Sequence, residues 1–242
     1  MVKPKPSPVQ HGVSIITCTK RRYCMDNLFH SYSRQNYRNK ELIVILNNNE
    51  LKESEYIRAA KRYKNVRIIS LPERVSLGSC LNYGVQLSKY NHIAKFDDDD
   101  YYAPGYLTDS MRIMSKTSAD IVGKRAHFMY LNGRKQLLYR YSKKVNQYVP
   151  LVQGATLLVK KRVFNKVQFP SRNRSECVIF CSKSLAKGYK IYAGNPFHFA
   201  AIRRSHSKDH TWIVSDQKLL QNARVLKVDN FRRFVSKDKD SS

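Results

Sequence analysis

Val13-Ser-Ile-Ile-Thr17 is a short apolar run rich in β-branched residues, and residues 25–35 behind it carry apolar side chains spaced for one face of a helix. Together they read as a strand followed by a helix. The pairing returns three times, as Glu41-Leu-Ile-Val-Ile-Leu46 with 54–63, Val66-Arg-Ile-Ile-Ser-Leu71 with 77–88, and His92-Ile-Ala-Lys-Phe96 with 105–116. Strands alternating with helices predict an α/β fold: a Rossmann-like, mainly parallel sheet covered by helices on both faces. Ligands of such sheets bind beyond the carboxyl ends of the strands, which directs attention to the residues after Thr17, Leu46, Leu71 and Phe96.

Past residue 120 the alternation weakens. Residues 125–131 and 137–141 read as antiparallel strands joined around Asn132-Gly133, residues 154–159 as another strand, and 175–187 as a helix that Gly188 ends before Lys190-Ile-Tyr192. The expected organisation is one domain with tails: a basic, Pro-rich 1–11, a first half over 12–120, a mixed second half over 121–226, and a polar tail over 227–242 that frays.

The 242 residues suffice for one sizeable core. No stretch has the roughly 18 to 20 consecutive apolar residues that cross a bilayer, and the polar N-terminus does not look like a signal, so a cytoplasmic protein is expected. Five cysteines without metal-site spacing read as reduced, mostly buried thiols. The net charge of +27 is uneven: residues 1–120 carry 19 Lys and Arg against 12 Asp and Glu, residues 121–242 carry 26 against 6. An excess of +20 in the second half attracts anionic partners, although a basic surface with no dedicated partner has the same composition.

Asp97-Asp98-Asp99-Asp100 follows the fourth predicted strand directly. Four neighbouring carboxylates raise one another's pKa, so a cation is expected among them. Magnesium and similar hard ions are held by one or two carboxylates together with substrate phosphates. The alternative is an acidic run placed at the positive end of the helix that begins near Gly105.

The segment Phe96-Asp-Asp-Asp-Asp-Tyr-Tyr-Ala-Pro104 resembles the Asp-x-Asp element of family 2 glycosyltransferases. Val13-Ser-Ile-Ile-Thr-Cys-Thr-Lys-Arg21 is similar to that family's opening strand, and Leu77-Gly-Ser-Cys-Leu-Asn-Tyr-Gly84 to its helix before the metal element. Gln153-Gly-Ala-Thr-Leu-Leu-Val159 and Gly188-Tyr-Lys-Ile-Tyr192 are similar to its acceptor-side landmarks. The resemblance covers about residues 12–215 and implies a single GT-A domain with an inverting, metal-dependent activity. It implies that Asp99 contacts Mn2+ or Mg2+, and that Asp97 lies at the metal and the sugar or ribose with Asp98 beside it. It also places Thr17, Thr19, Arg21, Asn47, Asn48, Leu77 and Asn82 around the nucleotide sugar.

Two departures from the family pattern bear on chemistry. Where relatives carry an Asp for the base, this chain has Asn47-Asn48-Asn49, which can offer a donor and an acceptor or simply form a turn. Where relatives carry an acid pair near the acceptor, it has Glu176-Cys177. Glu176 is then the expected general base, with Asp209 and Asp216 as other carboxylates of that half and a low-pKa Cys177 thiolate as a further option. In His206-Ser-Lys-Asp-His210-Thr-Trp212, His210 is the candidate that folds back to metal or diphosphate, or else packs beside Trp212.

These readings describe a transferase taking a sugar from a UDP-sugar, with dTDP- and GDP-sugars open, to an anionic glycan or lipid-linked acceptor in surface polysaccharide assembly. Peripheral contact with the inner face of a membrane fits the charge. One rival is a sugar-nucleotide-binding protein without turnover. The other, a basic nucleic-acid-binding protein, lacks any recognition-helix, RNP-type or zinc signature, so no nucleic acid is expected.

Overall fold

In the computed structural model, which describes residues 11–204, 214–221 and 223–237, the first half follows the predicted alternation. Its elements are β1 (Val13–Thr19), α1 (Met25–Ser33), β2 (Lys40–Leu46), α2 (Glu53–Ala60), β3 (Val66–Ser70), α3 (Leu77–Leu87) and β4 (His92–Lys95). β1 lies between β2 and β4, parallel to both, and β3 adds to β2 in parallel. Val13 and Ile15 pack into one apolar cluster while Ile16 packs into a second on the opposite face. A strand covered on both faces needs that arrangement, since successive side chains point opposite ways.

The remaining elements are β5 (Tyr101–Tyr102), α4 (Tyr106–Lys116), β6 (Ile121–Gly123), β7 (His127–Leu131), β8 (Gln136–Arg140), β9 (Gln147–Tyr148), β10 (Leu158–Lys160), α5 (Glu176–Ala186), β11 (Ile191–Ala193), β12 (Phe199–Arg203), α6 (Asp216–Gln221), β13 (Ala223–Leu226) and α7 (Phe231–Val235). The main sheet runs β3-β2-β1-β4-β10-β6-β11-β9, and a second runs β13-β8-β7-β12-β5. β10 is antiparallel to both β4 and β6, so β4 and β6 point the same way and their carboxyl ends share one edge with β1. Residue 120 is therefore not a seam, because β6, β10 and β11 extend the sheet begun by β1 to β4.

Two expectations need correction. Residues 154–159 do not form one strand: Gly154–Thr156 is a 3-10 turn, and the strand begins at Leu158. Tyr102 and Tyr106 donate to the carbonyls of Ala155 and Thr156 at 2.7 and 2.9 Å, which takes those groups out of a strand ladder. The β7–β8 hairpin has the predicted antiparallel pairing and turns through residues 132–135, with Lys135 in the left-handed conformation. The tail does not fray from residue 227. Asn230 caps α7 by accepting from Arg233 N at 3.0 Å, Val235 is fully buried, and its carbonyl accepts from His198 N at 2.8 Å.

All five cysteines are free, and four of them are buried. No helix among the described residues is long and apolar enough to cross a membrane.

Candidate active site

The carboxyl ends of β1 and β4 bring Thr17, Thr19 and the aspartate run to one edge of the sheet. Thr19 Oγ1 accepts from Arg21 N at 3.1 Å and donates to Asp98 Oδ2 at 2.6 Å. The Arg21 guanidinium grips Asp98 through two nitrogens and reaches Asp99 Oδ2 at 3.0 Å. Arg204 meets the same Asp99 oxygen at 3.1 Å. Asn27, on α1, donates to the carbonyls of Asp98 and Asp100 at 2.9 and 3.0 Å, and the Tyr102 hydroxyl accepts from Asp97 N at 2.8 Å.

These contacts sort the four aspartates into two kinds. Asp98 and Asp100 face inward: the Asp98 side chain is 3% exposed, and Asp100 Oδ1 accepts from Ile202 N at 2.9 Å. Asp97 and Asp99 face outward, with side chains 39% and 16% exposed. Burial pushes the Asp98 and Asp100 carboxyls up. Arg21 opposes the shift at Asp98, whereas Asp99 and Asp97 add to it at Asp100. For Arg21 burial works against the charge, but Asp98 and Asp99 outweigh it and raise its pKa. Asp98, expected at the donor, is thus turned toward Thr19 and Arg21 and away from the cleft.

The cations expected among the aspartates include side chains of the chain itself, namely Arg21, Arg204 and Lys95, the last paired with Asp97. The charge run alone therefore does not demand a metal. Among the described residues no three His, Cys, Asp or Glu side chains converge as a closed metal cage. Asp97 and Asp99 nevertheless fit a hard cation of the open kind, since both are outward carboxylates and phosphate oxygens can complete the shell.

The other nucleotide candidates are placed as follows. Thr17 is buried on β1. Asn47 Nδ2 donates to Pro72 O at 2.9 Å, while Asn48 donates to Lys20 O at 3.0 Å and accepts from Glu50 N at 2.8 Å. Both amides hold the loop after β2, in line with the turn reading. Asn82 donates to Phe169 O at 2.8 Å and accepts from Phe169 N at 3.0 Å, so both ends of its amide are engaged within the fold. Leu77 N donates to Asn173 Oδ1 at 2.8 Å. The segment after Phe169 sits so close to α3 that a Cβ on Gly78 would lie 1.9 Å from Pro170 O, which only glycine avoids.

On the acceptor side, Ser175 adopts a left-handed conformation (φ 61°) and starts α5 with Glu176, which is buried. The Cys177 thiol donates to Glu176 Oε1 at 3.2 Å. Burial drives the Cys177 pKa well up, more than Lys95 lowers it, so this residue is a neutral thiol and the thiolate option falls. Asp216 is taken up by Arg134 at 3.6 Å. His206, Asp209, His210 and Trp212 lie outside the described residues.

Sequence reasoning missed Asn27, Tyr102, Arg204 and Lys95. Only Lys95 left a signal, as a charge inside an apolar strand.

A nucleotide-type parallel edge, outward carboxylates after the fourth strand and an acid-bearing helix from a mixed second half define the GT-A class of fold. Residues 14–211 match the model of glycosyl transferase family 2, and the chain belongs to that family. It is 31% identical over 165 residues to the O-antigen biosynthesis glycosyltransferase WbnJ of Escherichia coli, covering 64% of this chain and 63% of the relative. The chain thus spans under two thirds of that protein's length. S. aureus TarS 1-349, solved in complex with UDP-GlcNAc, superposes with a TM-score of 0.66 at 16% identity, over 87% of this chain and 64% of that one. Mannosyltransferase PcManGT from Pyrobaculum calidifontis, in complex with GDP-Man and Mn2+, gives 0.65 at 14% identity, over 85% and 62%.

Proposed function

We propose that the chain is an inverting glycosyltransferase that moves a sugar from a nucleoside-diphosphate sugar, with UDP-sugars as the first candidates, to an acceptor hydroxyl. The observation that carries this reading is the shared edge. Asp97 and Asp99 face outward from the end of β4, and Glu176 opens α5 beside Cys177, which packs in the same apolar cluster as Ile93 of β4. Asp99 and Asp97 would hold Mn2+ or Mg2+, which neutralises charge on the departing diphosphate. Glu176 takes the proton from the acceptor hydroxyl as its oxygen bonds to the anomeric carbon and the bond to the diphosphate breaks. Attack from the side opposite the leaving group inverts that carbon. Arg21 acts on the donor through Asp99, and Thr19 and Arg21 anchor the motif by holding the inward Asp98 carboxylate.

The acceptor we favour is an anionic or lipid-linked glycan of surface polysaccharide assembly. The +20 excess of residues 121–242 supports it, as does the likeness to a protein named for O-antigen biosynthesis. Release of nucleoside diphosphate from UDP-GlcNAc, UDP-glucose, UDP-galactose and GDP-mannose, measured with manganese, magnesium or chelator, tests the reading. Release that needs the metal and disappears in Asp99→Ala is expected. Metal-dependent UDP binding without any release would favour the non-catalytic binding protein instead.

A further inference from the structure

Lys95 is a charged group of this edge to which the proposed mechanism gives no task. Its position is unusual for a lysine. It sits in the centre of the sheet, on a strand flanked by β1 and β10, and is 6% exposed. Ile93 faces the cluster that contains Cys177, Phe180 and Cys181 of α5, and Ala94 faces the opposite cluster, so Lys95 points to the α5 side. Its backbone N–H is spent on Leu157 O at 2.9 Å, which fixes the strand beneath the side chain.

Burying an ammonium is costly unless it is paired, and an apolar residue at this position would pack against the same cluster without that cost. Burial works against the Lys95 charge, and the direct contact with the Asp97 carboxylate compensates it. Its ammonium holds one oxygen of Asp97, Oδ1, and leaves the other for a ligand. It therefore lies between the outward Asp97 carboxylate and the face of the sheet on which α5 packs.

We propose that Lys95 is a positioning residue of the active site, fixing the Asp97 carboxylate toward the donor and its cation. This rests on the proposed transferase reading. Groups that orient metal-binding carboxylates typically change metal affinity or activity by about 10- to 100-fold when removed.

The experiment compares wild type with Lys95→Met, Lys95→Arg and Glu176→Gln in three measurements. These are diphosphate release from the four donors named above across a manganese titration, calorimetric UDP binding in the same titration, and thermal unfolding without metal. Lys95→Met should lower release by about 10- to 100-fold and shift the manganese dependence of UDP binding, with metal-free unfolding little changed. Lys95→Arg should recover part of both, and Glu176→Gln should lose release with the manganese dependence of binding intact. Two results would overturn the inference: wild-type release and manganese dependence in Lys95→Met, or equal losses in the Met and Arg variants together with a collapsed melting temperature, which marks a packing role. If even wild type releases nothing from any donor, the transferase reading fails, while the manganese dependence of UDP binding in wild type and Lys95→Met still decides the role of Lys95.

Discussion

Thr19 donates a 2.6 Å hydrogen bond to Asp98, joining the last residue of β1 to the second of four aspartates 79 positions later. With Arg21 closing on the same carboxylate, Asp98 becomes the buried anchor of the motif. Removing one partner of such a pair leaves the other uncompensated, at a cost of about 3 kcal/mol. Asp98→Asn should therefore lower stability in metal-free urea unfolding by about that amount. Asp99→Asn should cost less, because Asp99 is the more exposed. Equal stability of Asp98→Asn and wild type would show that Arg21 does not depend on this carboxylate.

The alternation of strands and helices was legible because each buried strand needs β-branched apolar residues and each helix one apolar face, and both are local properties. The sorting of the aspartates was not. Whether a carboxylate after β4 turns in or out depends on Thr19, Arg21, Asn27 and Ile202, which folding brings from 71 to 102 residues away. The same limit made 154–159 look like one strand, since its carbonyls are claimed by Tyr102 and Tyr106. It also hid the partner of Asn82, whose amide is taken by the Phe169 backbone.

Glu176→Gln should retain donor binding and lose transfer by roughly 10²- to 10⁴-fold, the range for a positioned acid or base. Cys177→Ser should keep most of the transfer rate, because the Cys177 sulfur is protonated and its hydrogen bond to Glu176 is one that serine can also donate. Steady-state rates with one active donor and acceptor pair decide between them. A dead Cys177→Ser beside a normal Glu176→Gln would move the proton transfer away from Glu176.

His127 gives the fold an acid sensitivity of its own. It is buried on β7, with Nδ1 2.9 Å from Arg125 O, and burial, helped by Arg140 and Arg125, lowers its pKa from 6.5 to about 4. Between those values the unfolded chain binds a proton that the folded chain does not, so stability rises with pH there and falls as pH drops from about 6.5 toward 4. The shift corresponds to about 3 kcal/mol. Urea unfolding at stepped pH should show this loss in wild type and not in His127→Phe, and parallel curves for the two proteins would remove His127 as the cause.

The ordered C-terminal region adds a surface to the charge count. Lys218, Arg224, Lys227, Arg232, Arg233 and Lys237 are all exposed, against Asp216 and Asp229, and α7 is docked through Asn230 and Val235. These cations are thus held on the fold and do not trail in a loose tail. Each Lys or Arg near an anionic bilayer contributes about 1 kcal/mol, and the attraction fades beyond a Debye length of about 8 Å at physiological salt. Full-length protein should therefore sediment with phosphatidylglycerol vesicles at low salt, not with phosphatidylcholine vesicles, and should release steeply as salt rises. Arg232→Glu with Arg233→Glu should weaken this binding by more than tenfold, since the two reversals remove and then oppose two attractive charges. Both side chains lie outside the proposed site, so diphosphate release from a soluble donor should be unchanged. Vesicle binding indifferent to salt, or untouched by the double reversal, would assign the contact to some other part of the surface.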